Sequence, residues 1–204
     1  MTTGTPPQPT FRSIFAGIAI VLLIFLGFLS LSNLVKYVGA ALTFIPGKLG
    51  LIHVVSSNEV MPVDMSTSPT KLTFTKPGRY SFFTDNYDLL VINDAIIESK
   101  GKPWLKIFTE SKDEIEITLI ERGLAIFDTP LAKGRPAATF EITEPGMYTM
   151  NHPTRPMVAY IVPDYTTGRE NWIVFLMISQ IMVIVWIVRD IWASRNAKKN
   201  SDKN

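Results

Sequence analysis

Trp172-Ile173-Val174-Phe175-Leu176-Met177-Ile178-Ser179-Gln180-Ile181-Met182-Val183-Ile184-Val185-Trp186-Ile187-Val188 is an unbroken run of 17 residues without a charge. That length is at the short end of what crosses the hydrocarbon core of a bilayer. Arg189 can extend its guanidinium to the interface, so Ile191 and Trp192 complete a transmembrane helix over residues 169–192. Trp172 and Trp192 then mark the two membrane surfaces, where tryptophan is enriched. Beyond Val188 stand Arg189, Arg195, Lys198, Lys199 and Lys203, against Asp190 and Asp202 alone. This basic flank predicts a cytoplasmic tail over 193–204.

Working outward, a second apolar block occupies residues 14–34, 21 residues of which 14 are Ile, Leu, Val or Phe. Insertion of such a block is favourable by several kcal/mol, and its helical length of about 30 Å matches the bilayer core. It exceeds the apolar region of a cleavable signal peptide, so a retained anchor over 13–34 is expected. Residues 1–12, with Pro6, Pro7 and Pro9, read as a disordered cytoplasmic tail, and 35–47 as an apolar interfacial segment. Two crossings place both termini in the cytoplasm and the domain between them, 48–168, outside it. The first partner implied is the lipid bilayer of a cell membrane.

Charge and cysteine content narrow the function. Residues 46–171 hold 13 Lys and Arg against 16 Asp and Glu, so the middle region is mildly acidic. A net charge of +2 with no basic face argues against nucleic acid as a partner. The absence of cysteine excludes disulfides, thiolate metal sites and cysteine nucleophiles.

The middle region reads as short β-prone runs between turn residues. Strands are expected at 51–55, 71–75, 80–83, 89–92, 95–98, 104–109, 114–120, 124–127, 138–143, 148–150 and 157–162. The clearest is Glu114-Ile115-Glu116-Ile117-Thr118-Leu119, which alternates one wet and one apolar face. Asn93-Asp94 reads as a two-residue hairpin turn and Ser111-Lys112-Asp113 as a longer one. The expected fold is membrane α plus all-β: two transmembrane helices flanking an antiparallel β-sandwich of cupredoxin-like or immunoglobulin-like architecture.

One segment recurs. Leu72-Thr73-Phe74-Thr75-Lys76-Pro77-Gly78-Arg79-Tyr80-Ser81-Phe82 matches Phe140-Glu141-Ile142-Thr143-Glu144-Pro145-Gly146-Met147-Tyr148-Thr149-Met150, 68 positions later. Pro sets φ for a turn, Gly is expected to take the positive φ that follows, and Tyr starts the next strand facing inward. The simplest reading is a sheet corner used twice. The second copy runs on to His152 and Met157, and this Pro-Gly-x-Tyr turn with His-x4-Met resembles the copper loop of cupredoxins. That family has a cysteine three positions before the histidine, where this chain has Thr149. The resemblance implies a cupredoxin-like sandwich and, as a minor reading, copper handling near His152 and Met157 with His53 as a distant second imidazole. No cofactor is expected.

Other chemistry is sparse. Two histidines, no cysteine and no Gly-x-Ser-x-Gly, His-Glu-x-x-His or phosphate-binding Gly loop point away from an enzyme. Thr84-Asp85-Asn86-Tyr87-Asp88 fits no Ca2+ loop and reads as a solvated turn. Ser179 and Gln180 fall mid-span, where a polar side chain seeks a neighbouring helix, so a helix–helix contact with an integral membrane partner is expected there. Ser30, Ser32 and Asn33 lie at the wrong depth to serve Gln180. The expected function is a non-enzymatic accessory or scaffolding subunit of a membrane complex. The alternative is a tethered ligand-binding or sensing domain with a surface formed by Tyr80, Tyr87, Trp104, Tyr148 and His152.

Overall fold

The computed structural model describes residues 31–121 and 129–201. The expected tail 1–12, nearly all of the first expected span and the expected strand 124–127 lie outside these residues. In chain order the elements are α1 (Leu31–Lys48), a 3-10 turn (Ser57–Glu59), β1 (Met61–Asp64), β2 (Thr70–Phe74) and β3 (Gly78–Thr84). Then follow α2 (Tyr87–Ser99), β4 (Lys106–Thr109), β5 (Glu114–Ile115) and β6 (Ile117–Leu119). The chain continues through β7 (Arg135–Ile142), β8 (Gly146–Asn151), β9 (Val158–Pro163) and α3 (Glu170–Ser201).

The strands form two antiparallel sheets, one ordered β1-β9-β3-β7-β6 and the other β2-β8-β4-β5. Their inner faces share one core, in which Val63, Phe82, Phe140 and Ile161 of the first meet Phe74, Ile107 and Met150 of the second. The alternation at 114–119 holds, with Ile115, Ile117 and Leu119 packed on the core. It serves both sheets, however. Ile115 pairs with Ile107 and Ile117 with Phe140, so the chain crosses between sheets at Glu116.

The repeated segment is a corner used twice. Each copy leaves one sheet and enters the other, from β2 into β3 and from β7 into β8. The copies then pair with each other about a pseudo-twofold axis. Leu72 opposite Tyr148 becomes Phe140 opposite Tyr80 under the 68-residue shift, as do the other four pairs of β2 with β8. At each corner the tyrosine hydroxyl donates to the carbonyl four residues upstream, Tyr80 to Lys76 at 2.8 Å and Tyr148 to Glu144 at 2.6 Å. Phe74 meets both rings edge-on, at 4.8 and 5.4 Å between centroids. Only the first glycine takes a positive φ, Gly78 at +141°.

Three expectations are corrected. Residues 89–92 and 95–98 are not a hairpin but the helix α2. Leu89, Leu90, Asn93, Ile96 and Ile97 occupy one inward stripe at helical spacing, which their β-prone side chains disguise. Asn86 caps the start by accepting from the Leu89 N–H at 3.0 Å, and Lys100 ends the helix in the left-handed region. Thus the segment 84–88 is a helix cap. Asn93 is a hub, not a turn residue: its Nδ2 donates to Ile120 O at 3.0 Å and Ala137 O at 3.1 Å, and its Oδ1 accepts from the Trp104 indole at 3.1 Å. Second, residues 51–55 form no strand. Third, Met61–Asp64, where no strand is expected, forms β1 at the edge of the five-stranded sheet, a position that tolerates Pro62.

Asn93→Ala strips partners from two carbonyls and an indole N–H. It should lower the unfolding free energy by about 3 kcal/mol or more, against about 1 kcal/mol for Tyr80→Phe or Tyr148→Phe. Urea unfolding of the full chain in detergent measures all three; equal losses would contradict the hub role of Asn93.

Candidate helix-docking site

The most elaborate polar chemistry lies outside the core, where α1 and α3 meet the outer face of the five-stranded sheet. Along β3, Tyr80 and Phe82 point inward, while Phe83 joins Val162 and Ala132 in a second apolar cluster on the outside. Strand alternation puts Phe83, like Ser81, on the face opposite Phe82. Gly39, Ala40 and Thr43 of α1 lie over that surface, and a cleft of about 100 Å³ remains between them and Ser81, Phe83 and Val162. Small residues on this stripe of α1 allow the close approach.

Lys36 fastens the helix there. Its side chain is 2% exposed, and Nζ donates to Ala132 O at 3.2 Å and to Gly134 O, with the Phe83 ring centroid 5.3 Å away. Gly134 makes the geometry possible. It sits at φ +80°, and a Cβ there would lie 2.0 Å from the Thr84 carbonyl oxygen. Any side chain would push the loop off β3 and withdraw the carbonyls from Lys36.

α3 is tied at its start. Burial of Asp164 alone would raise its pKa, yet donors from Thr167 and Thr166 hold the carboxylate below its ordinary value. Ile173, Leu176 and Met177 are buried on one face of the helix. The Trp172 indole donates to Leu51 O at 3.3 Å, and Gln180 Nε2 donates to Ala41 O at 3.3 Å. Gln180 thus meets α1 within its own chain, a full turn and more from Ser32 and Asn33. Its Oε1 is buried and meets no hydrogen-bond partner among the described residues. Ser179 is satisfied inside its own helix, donating to Phe175 O at 2.8 Å. From Ile181 to Arg195 every residue is exposed.

Glu59 joins the two connecting segments. Its Oε1 accepts from the Tyr165 hydroxyl at 2.9 Å and Lys76 Nζ at 3.5 Å, with His53 Nε2 at 3.6 Å. Its Oε2 accepts from Ser56 N at 3.0 Å and Ser56 Oγ at 2.8 Å. Burial opposes ionisation, but the Ser56 and Tyr165 donors and His53 bring the carboxyl down from 4.5 to about 2. Burial and this carboxylate push the Tyr165 phenol up to about 12. The His53 ring stacks at a tilt on Tyr165, 4.1 Å between centroids.

The proposed aromatic surface is dispersed. Tyr80 and Tyr148 come together, but around Phe74 in the core. Trp104 packs edge-on against Phe82, whereas Tyr87 is 70% exposed at the start of α2. His152 is buried at the other end of β8, with Nε2 3.0 Å from Thr70 Oγ1 and Nδ1 3.0 Å from Pro153 O. Both ring nitrogens are thereby engaged, and Met157 packs on the core. Among the described residues no three His, Cys, Asp or Glu gather as a metal site.

Lys36, Glu59 and Asp164 were not singled out from sequence. Signals existed: Lys36 is the one charge between Arg12 and Lys48, and Ser56-x-x-Glu59 has the capping-box spacing.

A carboxyl whose folded pKa is depressed adds stability above its unfolded value and loses it as pH falls. Melting temperature of the full chain should therefore drop between about pH 4.5 and 2, and Glu59→Gln should flatten part of that slope while lowering the value at pH 7. Parallel pH profiles for the two proteins would show that Glu59 contributes nothing. Compared with protein families, characterised proteins and solved structures, the chain finds no match, so this site is read from its own chemistry.

Proposed function

We propose that this chain is a non-enzymatic accessory or scaffolding subunit of a membrane protein complex. In this reading residues 14–34 and 172–192 both cross the bilayer, the termini are cytoplasmic and the sandwich stands outside. The carrying observation is the division of α3. Its first turns are buried on one side through Ile173, Leu176 and Met177, next to α1, and then it continues bare and apolar on every face from Ile181 to Val188. Among the described residues Glu170–Arg195 is the one helical stretch long and apolar enough to cross a membrane, with a mean hydropathy of 2.2. Hydrocarbon or another apolar helix suits such a surface and water does not.

The docking of α1 and α3 supports the scaffolding part. Lys36, Gln180 and Trp172 tie helices to domain or to each other, and Glu59 ties the connectors together. A domain fixed to its anchor in this way presents one face at one height, as a docking platform requires. The sensing alternative draws less support, because Tyr80 and Tyr148 fill the core and Tyr87 stands apart from them.

Affinity purification of the full chain from its native membrane in mild detergent tests the proposal. A second integral membrane protein at fixed stoichiometry is expected, with photocrosslinks from positions 181–188 recurring at helical spacing. A chain that migrates alone and forms no crosslink at any of these positions would remove the accessory reading.

A further inference from the structure

α1 is inside out for a helix in water. Its buried side carries Lys36, while the outward stripe reads Tyr37, Val38, Ala41, Phe44, Ile45 and Lys48, all exposed and apolar but for the last. Phe44 is 60% exposed and Leu49, just past the helix, 68%. A surface helix of a soluble domain has the opposite polarity. Ionisable side chains turned inward and apolar ones outward are the pattern of helices in lipid. Lys48 fits the same pattern at the end of the stripe, its Nζ 5.7 Å from the Phe44 ring centroid, as a lysine does when it covers apolar surface and keeps its head in the interface.

This surface also has a continuation. Leu51 adjoins Trp172 through the indole hydrogen bond, and Trp172 stacks on Phe175 at 5.6 Å, both of them exposed. Past Leu49 the apolar stripe of α1 is thus followed by the exposed aromatic side chains at the start of α3.

We infer that outer-leaflet lipid covers the outward face of α1 from Tyr37 to Leu49. The inference rests on α3 being a membrane span. Lipid contact then reaches well past Leu34, and the five-stranded sheet is seated against the membrane with α1 between. The outer face of the four-stranded sheet, with Thr73 opposite Met147, is then turned away from the bilayer.

The chain has no cysteine, so single-cysteine labelling is clean. The full chain is purified and reconstituted in phosphatidylcholine–phosphatidylglycerol vesicles, with an environment-sensitive fluorophore at Tyr37, Phe44 or Leu49. Thr73 and Met147 serve as references on the far sheet and Val185 as the reference within α3. Labels at the first three positions should be quenched by nitroxide-bearing lipid at least about two-fold more than those on the far sheet, and be shielded from aqueous iodide. Iodide quenching equal to that at Thr73 and Met147, with Val185 still quenched from the lipid, overturns the inference and leaves the span intact. A Val185 label open to iodide overturns both.

Discussion

An amino group loses its water when buried and needs acceptors in exchange. Lys36 finds them in the carbonyls of Ala132 and Gly134, with the face of the Phe83 ring beside it. All three are available because Gly134 lets its loop lie against the Thr84 backbone and because strand alternation turns Phe83 outward, away from Phe82. Removing one partner of such an arrangement is costly, because the others stay buried. The position of α1 on the sheet follows from this contact. So do the course of residues 49–60, which must run back over the outer sheet face to β1, and the place where α3 can pack.

The molecule is therefore built around two separate constraints. Inside, the paired corners close the sandwich with pseudo-twofold symmetry, Phe74 lying against both corner tyrosines. Outside, Lys36, Asp164, Glu59 and Gln180 hold the helices and their connectors to one sheet face. The inner constraint would serve a free domain equally well. The outer one has a purpose only if the orientation of domain to helices matters, and this links the geometry to the scaffolding proposal.

Period and turn chemistry made much of this legible. The alternation of 114–119, the duplicated Pro-Gly-x-Tyr corner and the apolar run from Trp172 each express a local rule that tertiary context did not override. α2 escaped because Val91, Ile92, Ile96 and Ile97 favour strands in isolation, and because Asn93 before Asp94 mimics a hairpin turn. Its cap at Asn86 and its clasp on Ile120 and Ala137 decide otherwise, and the second is a long-range fact. The docking site was the least legible part. Glu59 and Tyr165 meet across 106 positions of sequence, and Lys36 has partners 96 and 98 positions away. The aromatic residues, chosen for their chemistry alone, were for the most part core.

Lys36 fastens α1 to the sandwich, and the two should move as one rigid body. Pulsed-EPR distances between spin labels at Val38 on α1 and Thr118 on the edge strand of the same sheet, measured on the full chain in bilayers, test it most directly. A single narrow distribution that broadens in Lys36→Ala is the predicted result. A broad distribution in the unaltered chain, or a narrow one that Lys36→Ala leaves unchanged, would contradict it.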